Sequence, residues 1–320
     1  MKILVTGGLG FIGKQLVQRL MKENQVIVID KNTEKDKFKD KFMESNLLMY
    51  NLDLSQSPPL EFLRDIDYVF HLATAKDSAG EKVCYLTNVE GTINLLHWLA
   101  ELSPNLKKFI YIGSLLSYGF GEKKKASSLY GKTKLLAERE IRRFGDRIPY
   151  IILRSCRVYG PGDKRGIYLI FKFIKKGFIP VVSKVEERFA SLIYIDDIIE
   201  AMILAAQSNI TNKVYSISDG NVYSWKEVYE AMALALDKEY KKLYKITIPQ
   251  KLIIKVLPLL RNISKLLGAS LEGQSLEELS SKYWTCDPSD FFEDTGFKPK
   301  IFLREGMQRT GEWLKNQDLL

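Results

Sequence analysis

The chain has 320 residues, of which 46% are hydrophobic, 27% charged and only 10 proline. That is enough for one large or two modest domains around a sizeable core, and it excludes a fibrous or unstructured chain. The 48 Lys and Arg against 39 Asp and Glu leave a net charge of +9, which suits acidic ligands such as phosphates; without interleaved aromatics, the basic clusters at 31–41 and 123–125 read as solvated loops, and no nucleic-acid partner is expected. Cys84, Cys156 and Cys286 are odd in number and form no CxxC pair, so a reduced compartment and no metal site are expected. No signal-peptide pattern and no 18-residue apolar run occur, so the cytoplasm is expected, with no transmembrane segment.

In chain order, residues 3–5 are a short apolar strand, 6–13 a glycine-rich turn and 11–21 a stretch of helical spacing, together a βα unit. Further β-rich runs lie at 26–30, 67–72, 108–114 and 149–154, with helical stretches at 83–102 and 129–144. This alternation predicts a doubly wound parallel sheet. After Arg154 the pattern changes to the turn cluster Tyr159-Gly160-Pro161-Gly162, a helix-like 167–176 and a strand and helix around 192–206. Two units are expected: 1–155 with about 191–208, and 156–190 with 209–320. The segment 251–267 reads as a basic amphipathic helix kinked at Pro258, packed on the second unit or, less favoured, lying on a membrane or an oily substrate.

The turn contains Gly8-x-Gly10-x-x-Gly13 and Gly7-x-x-Gly10-x-x-Gly13, after a strand and opening a helix. That context makes it a phosphate cradle: glycines let the backbone approach a pyrophosphate, and the helix N-terminus, with Phe11 and Ile12, offers unpaired N–H groups. Asp30 ends the second strand about 20 residues beyond Gly10, where a carboxylate accepts hydrogen bonds from an adenosine ribose. NAD is therefore expected over NADP, although Lys31 offers partial compensation for a 2′-phosphate.

Tyr130 and Lys134 are one helical turn apart and so share a face. An adjacent ammonium favours the phenolate and lowers the tyrosine pKa, making Tyr130 a proton shuttle. Ser114 ends the strand Lys108–Ser114, whose carboxyl end faces the ligand crevice of a parallel sheet, and its hydroxyl can polarise a carbonyl or alcohol.

In these groups and their order the chain resembles the extended short-chain dehydrogenase/reductases, the NAD-dependent epimerase/dehydratase family. The resemblance rests on Thr6 to Gly13, Asp53-Leu54, Val69 to Ala73, Asn88 to Thr92, Ser114 to Gly119, Tyr130 to Lys134, Leu153-Arg154, Tyr159-Gly160-Pro161 and Tyr194 to Asp197, in the family's order over about two-thirds of the chain. It implies a Rossmann-type α/β domain holding NAD(P) and a smaller, mostly C-terminal α/β substrate domain. It further implies that Asp53 and Leu54 lie beside the adenine, that Leu72, Ala73, Thr74 and Asn88 contact the cofactor, that Cys156 lies by the nicotinamide, and that Ser114, Tyr130 and Lys134 are catalytic. A homodimer through 83–102 and 129–144 is implied as well.

Departures bear on the substrate. The stretch between Ser114 and Tyr130 is shorter than in most extended members, and Leu115 and Leu116 stand where sugar-nucleotide dehydratases carry Asp-Glu, which disfavours water elimination. Arg157 replaces an Asn of many epimerases, and Val158 to Asp163 is similar to the 3β-hydroxysteroid dehydrogenase and dihydroflavonol reductase branches. Arg157 and Arg188 are candidate diphosphate ligands, Arg188 lying two residues from the usual arginine. The resulting expectation is a nucleoside-diphosphate-sugar epimerase that works through a transient ketone. The alternatives are a steroid- or flavonoid-type reductase and, outside catalysis, an NAD(P)-sensing binding protein.

Overall fold

A computed structural model describes residues 1–31, 46–56, 61–118, 126, 128–249 and 281–320. The lysines at 123–125, most of the 31–41 cluster, Gly119 and the amphipathic segment 251–267 lie outside the described residues.

The chain opens with β1 (Lys2–Thr6), α1 (Phe11–Leu20), β2 (Gln25–Asp30), β3 (Leu47–Asn51) and β4 (Tyr68–His71). It continues through α2 (Glu81–Tyr85), a π-helical turn over Leu86–Glu90, α3 (Gly91–Leu102), β5 (Lys108–Ser114), α4 (Leu115–Tyr118), α5 (Leu129–Arg143) and β6 (Tyr150–Ser155). The expected doubly wound sheet is present. It has seven strands, and the six so far introduced stand in the order 3-2-1-4-5-6 across it, every pair of them parallel. The order reverses between β1 and β4, and the crevice at such a switch point opens at the carboxyl ends of the strands.

The period of two along each strand sorts its side chains into two cores. Ile3 and Val5 of β1 face one way with Leu16 and Val17 of α1, whereas Leu4 faces the other way with Leu95, Leu96 and Leu99 of α3 and Ala137 and Ile141 of α5. Burying both faces explains why β5 is buried at all seven positions.

The second half contains β7 (Arg157–Tyr159), α6 (Gly166–Lys175), β8 (Phe178–Val182), β9 (Phe189–Ala190), β10 (Leu192–Tyr194), α7 (Ile195–Gln207) and β11 (Lys213–Ile217). It ends in β12 (Tyr223–Ser224), α8 (Trp225–Leu234), β13 (Tyr244–Ile248), β14 (Tyr283–Trp284), α9 (Ser289–Thr295) and α10 (Leu303–Asn316). Small sheets pair β10 with β7, β8 with β13, and β9 with both β12 and β14. One expected boundary changes: β11, assigned by sequence to the second unit, is parallel to β6 and forms the far edge of the main sheet, Tyr215 opposite Leu153. The C-terminal segment is tied back by Asp197 of α7, whose carboxylate accepts the backbone N–H groups of Lys300 at 3.0 Å and Ile301 at 2.9 Å. Among the described residues no helix is long and apolar enough to cross a membrane.

The helical stretch expected at 83–102 is present over 81–102, with a π turn at Leu86–Glu90 in its middle. The wide π turn inserts a residue between α2 and α3, and such insertions re-aim side chains. Here Asn88 and Thr92 both point into the protein, at 1% and 0% exposure.

Candidate active site

A cavity of about 540 Å³ runs along the carboxyl ends of the strands from the glycine turn to β6 and β14. Its first end is mostly backbone. Gly7 has φ of +67°, and a Cβ there would stand 2.7 Å from the backbone nitrogen of Ala73; one on Gly13 would stand 2.3 Å from the Gly7 carbonyl oxygen. Only glycine allows the turn to pack this closely against β4 and α1. The turn is pinned by Gly7 N–H donating to Ile29 O at 2.8 Å and Gly10 N–H donating to Gly7 O at 3.1 Å. At the start of α1, Gly10 caps without a side-chain bond and no acidic residue occupies the first turn, so the N-terminal N–H groups and the dipole end face the cavity without a competing carboxylate.

Beside the turn, Asp30 accepts the Leu9 N–H at 3.1 Å. Lys31 bridges to Asp53 at 2.8 Å and donates to Thr87 Oγ1 at 3.1 Å. Burial alone would raise the Asp53 pKa, but the hydrogen bonds from Lys31 and Ser55 outweigh it and hold it below the usual value. Glycines bounded by carboxylates, with a helix N-terminus between, fit a dinucleotide: the backbone receives phosphates while the carboxylates suit ribose and adenine.

Leu72, Ala73 and Thr74 form the back wall. Behind them Thr6, His71 and Thr92 make a buried chain, His71 Nδ1 2.6 Å from Thr6 Oγ1 and Nε2 2.9 Å from Thr92 Oγ1. Burial, aided by the Lys134 charge, lowers the His71 pKa to about 3. Asn88 does not line the cavity, contrary to the expectation of a cofactor contact. Its Oδ1 accepts from Ala75 N–H at 2.7 Å and Thr74 Oγ1 at 3.1 Å, and its Nδ2 donates to Ala75 O and Thr133 Oγ1, both at 2.9 Å. The amide is used up in fastening the loop after β4 to α5.

Ser114, Tyr130 and Lys134 line the same cavity. The N-terminus of α5 is capped by Ser128 Oγ, which accepts the Gly131 N–H at 3.1 Å, and the Tyr130 N–H donates to Asp77 Oδ1 at 2.6 Å. Lys134 Nζ donates to Ile112 O at 2.8 Å and lies 4.5 Å from the centre of the Tyr111 ring and 5.9 Å from that of Tyr130. Burial lowers the Lys134 pKa to about 7. The Tyr130 pKa differs from the expected lowering: burial raises it to about 12, against the pull of the Thr74 hydroxyl and the Arg165 charge. The physical reason is that Lys134 is itself desolvated and turns its ammonium to the β5 carbonyl, so i to i+4 spacing brings proximity without dominant charge stabilisation.

The lining also includes Leu116, Ser155, Cys156, Arg157, Val158, Arg165 and Trp284, with Ser155 paired to Ser114 across β5 and β6. Burial lowers the Arg157 pKa to about 10, with Asp163 partly opposing it. Arg188 does not line the cavity. It is 6% exposed, its Nε donating to Ser183 O at 3.2 Å and Nη1 to Ser281 O at 2.7 Å, so it is a brace beneath the second unit. Lys76, Thr87, Arg165 and Trp284 line the cavity without having been expected. Arg165 carries a weak signal in following the Tyr159 to Asp163 turn; Trp284 reaches the site from more than a hundred residues away and carries none.

Residues 3–218 match the model of the NAD dependent epimerase/dehydratase family. The chain belongs to that family. It is 25% identical over 331 residues to the UDP-glucose 4-epimerase of Vibrio cholerae, covering 97% of this chain and 94% of the relative. Its fold is similar to that of the UDP-N-acetylglucosamine 4-epimerase of Methanobrevibacter ruminantium M1, solved in complex with UDP-N-acetylmuramic acid, with TM-score 0.78, 23% identity and coverage of 99% and 98%. It is also similar to the UDP-glucuronic acid 4-epimerase of Bacillus cereus, solved with NAD, with TM-score 0.79, 22% identity and coverage of 99% and 97%. This member of the NAD dependent family is an enzyme whose glycine turn and Ser114, Tyr130 and Lys134 open into one cavity.

Proposed function

We propose that the chain is an NAD-dependent epimerase of a nucleoside-diphosphate sugar, with Ser114, Tyr130 and Lys134 as its catalytic groups. The observation that carries this reading is that these three side chains and the glycine turn with Asp30 line one cavity. NAD is preferred over NADP because the Asp30 carboxylate repels a 2′-phosphate. Bound there, NAD supplies the acceptor, and afterwards the donor, of the substrate's hydride. Tyr130 takes the proton of the reacting hydroxyl and returns it to the ketone oxygen on the way back. Ser114 donates a hydrogen bond to that oxygen as its charge changes. Lys134, whose pKa lies near neutrality, assists the proton's passage. Dehydration has no support, because Leu116 lines the cavity and Leu115 and Leu116 are buried at 5% and 4%, where an acid and base would be required.

The nucleotide sugar is favoured by the cationic Arg157 in the lining of the cavity and by the similarity to UDP-sugar epimerases. We further propose a homodimer through α2, α3 and α5, since Val83 and Tyr85 each leave 43% of their surface exposed on α2; sedimentation as a monomer at micromolar concentration would exclude it.

The test is incubation of purified protein with NAD and a panel of UDP-, GDP- and dTDP-sugars. At least one sugar is expected to yield its diastereomer without stoichiometric NADH and to raise the melting temperature. Failure of every sugar, with apolar ketones consuming NADH or NADPH, replaces the epimerase with a reductase.

A further inference from the structure

Where the turn after β7 runs into α6, Asp163 and Arg165 form a pair with no role in the reaction derived above. Asp163 is 2% exposed, and its Oδ1 accepts from Arg165 Nε at 2.6 Å and from the Arg165 N–H at 3.1 Å. Arg165 Nη2 donates to Val158 O at 3.4 Å, and the guanidinium carbon sits 4.8 Å from the centre of the Phe11 ring. Phe11 is the first residue of α1. A second tie joins the same two elements, Gln15 Nε2 donating to Pro161 O at 2.6 Å.

The guanidinium is thus fixed on one edge by Asp163 and on one face by Phe11, a stacking for which its planar shape is suited. Its other edge stays available: the side chain is 34% exposed, it lines the cavity, and Nη1 has no hydrogen-bond partner among the described residues. Charge points the same way. Asp163 is one carboxylate beside two guanidinium groups, since it also stabilises the charge on Arg157, and its Oδ2 is buried with no hydrogen-bond partner.

We propose that Arg165, held against Phe11 by Asp163, is a diphosphate clasp that closes from the second half of the chain over an anion resting on the N-terminus of α1. Two sources carry that chemistry: the diphosphate of the dinucleotide, which the contact with Phe11 favours, and the diphosphate of a nucleotide sugar. The inference rests on the dinucleotide reading of the glycine turn. The same guanidinium acts on Tyr130 in the direction of the phenolate, so an anion bound to it would also tune the proton shuttle.

The experiment titrates the full chain and its Arg165→Met, Arg165→Gln and Arg165→Lys variants with NADH and, separately, with UDP, at low and high salt, after a melting curve of each variant has established that it is folded. Wild type is expected to bind NADH, with Met and Gln weakening it on the order of 10- to 100-fold, the range of a lost charge-assisted hydrogen bond. Lys should retain part of the affinity, and the Met variant should show a shallower salt dependence than wild type. Loss of UDP affinity with NADH unchanged supports the clasp and assigns it to the substrate's diphosphate. Unchanged affinity for both ligands in folded variants overturns the clasp alone. A wild-type chain that binds no NADH overturns the dinucleotide reading, and the clasp with it.

Discussion

The two ends of the cavity are built on different principles. The end at the glycine turn is made of backbone and strand termini close together in sequence, and its charged side chains, Asp30, Lys31 and Asp53, are near balance, the last two bridged at 2.8 Å. The reacting end is assembled from β5, α4, α5, β6, β7, β14 and the turn before α6. Around it stand Lys76, Lys134 and Arg157, with Arg165 between the two ends against Phe11, while the lining there contains no carboxylate among the described residues. A balanced polar end suits the neutral hydroxyls and base of an adenosine, and a cationic end suits phosphate and developing oxyanions. One cavity therefore separates holding from reacting, and substitutions at the two ends should fail differently.

The largest effect is expected at the reacting end. Tyr130→Phe removes only the phenolic oxygen, so kcat should fall on the order of 10²- to 10⁴-fold with NADH affinity retained; parallel loss of both in steady-state kinetics and NADH titration would erase the distinction between the ends. At the other end Gly13→Ala should do the reverse. Its Cβ would meet the Gly7 carbonyl oxygen at 2.3 Å, a backbone clash that distorts the turn, and NADH affinity should drop by roughly 100-fold or more, about 3 kcal/mol.

A smaller effect concerns stability. The Lys134 pKa of about 7 lies well below the value of about 10.4 for an unfolded lysine. Between those pH values the unfolded chain binds a proton that the folded chain has shed, so wild-type stability gains from this group as pH rises from about 7 to about 10 and loses that gain on the way down. Lys134→Met lacks the slope. It should be inactive, more stable than wild type near pH 7 by on the order of 2 kcal/mol, and the gap should narrow towards pH 10 in urea melts. A constant gap would mean that the ammonium is not destabilised by burial. The smallest effect is on cofactor choice: Asp30→Ala should weaken NADH by roughly 10-fold and NADPH by less, because it also removes a repulsion felt only by the 2′-phosphate. Equal weakening would detach Asp30 from the ribose.

The same division explains what could be read from the sequence. The glycine turn, β5 with Ser114 at its end, and Tyr130 with Lys134 on α5 are local patterns whose geometry follows from the period of an element and its place at a strand terminus. β3 and β11 were missed because edge strands are half exposed: β3 has no fully buried position, and only Tyr215 and Ile217 of β11 are buried. Asn88 was expected at the cofactor because its place in the chain is right, but the π turn rotates it behind the wall. Arg188 was expected at the substrate although it stands two residues from the usual arginine, and its guanidinium instead donates to the Ser183 and Ser281 carbonyls. Arg165 and Trp284 depend on contacts between distant segments, which leave no local pattern. Burial also reversed the expected direction of the Tyr130 shift, an effect on which spacing along a helix is silent.

The central claim is that a hydride leaves one carbon of a nucleotide sugar and returns to the same carbon within this cavity. It is tested most directly by giving the NAD-loaded enzyme a nucleotide sugar that it inverts, deuterated at the carbon inverted, and following the label by mass spectrometry and NMR. The account predicts that the diastereomer keeps its deuterium at that carbon with no net NADH, and that Tyr130→Phe slows the exchange without releasing label. Deuterium accumulating in NADH, or lost to water, would contradict it.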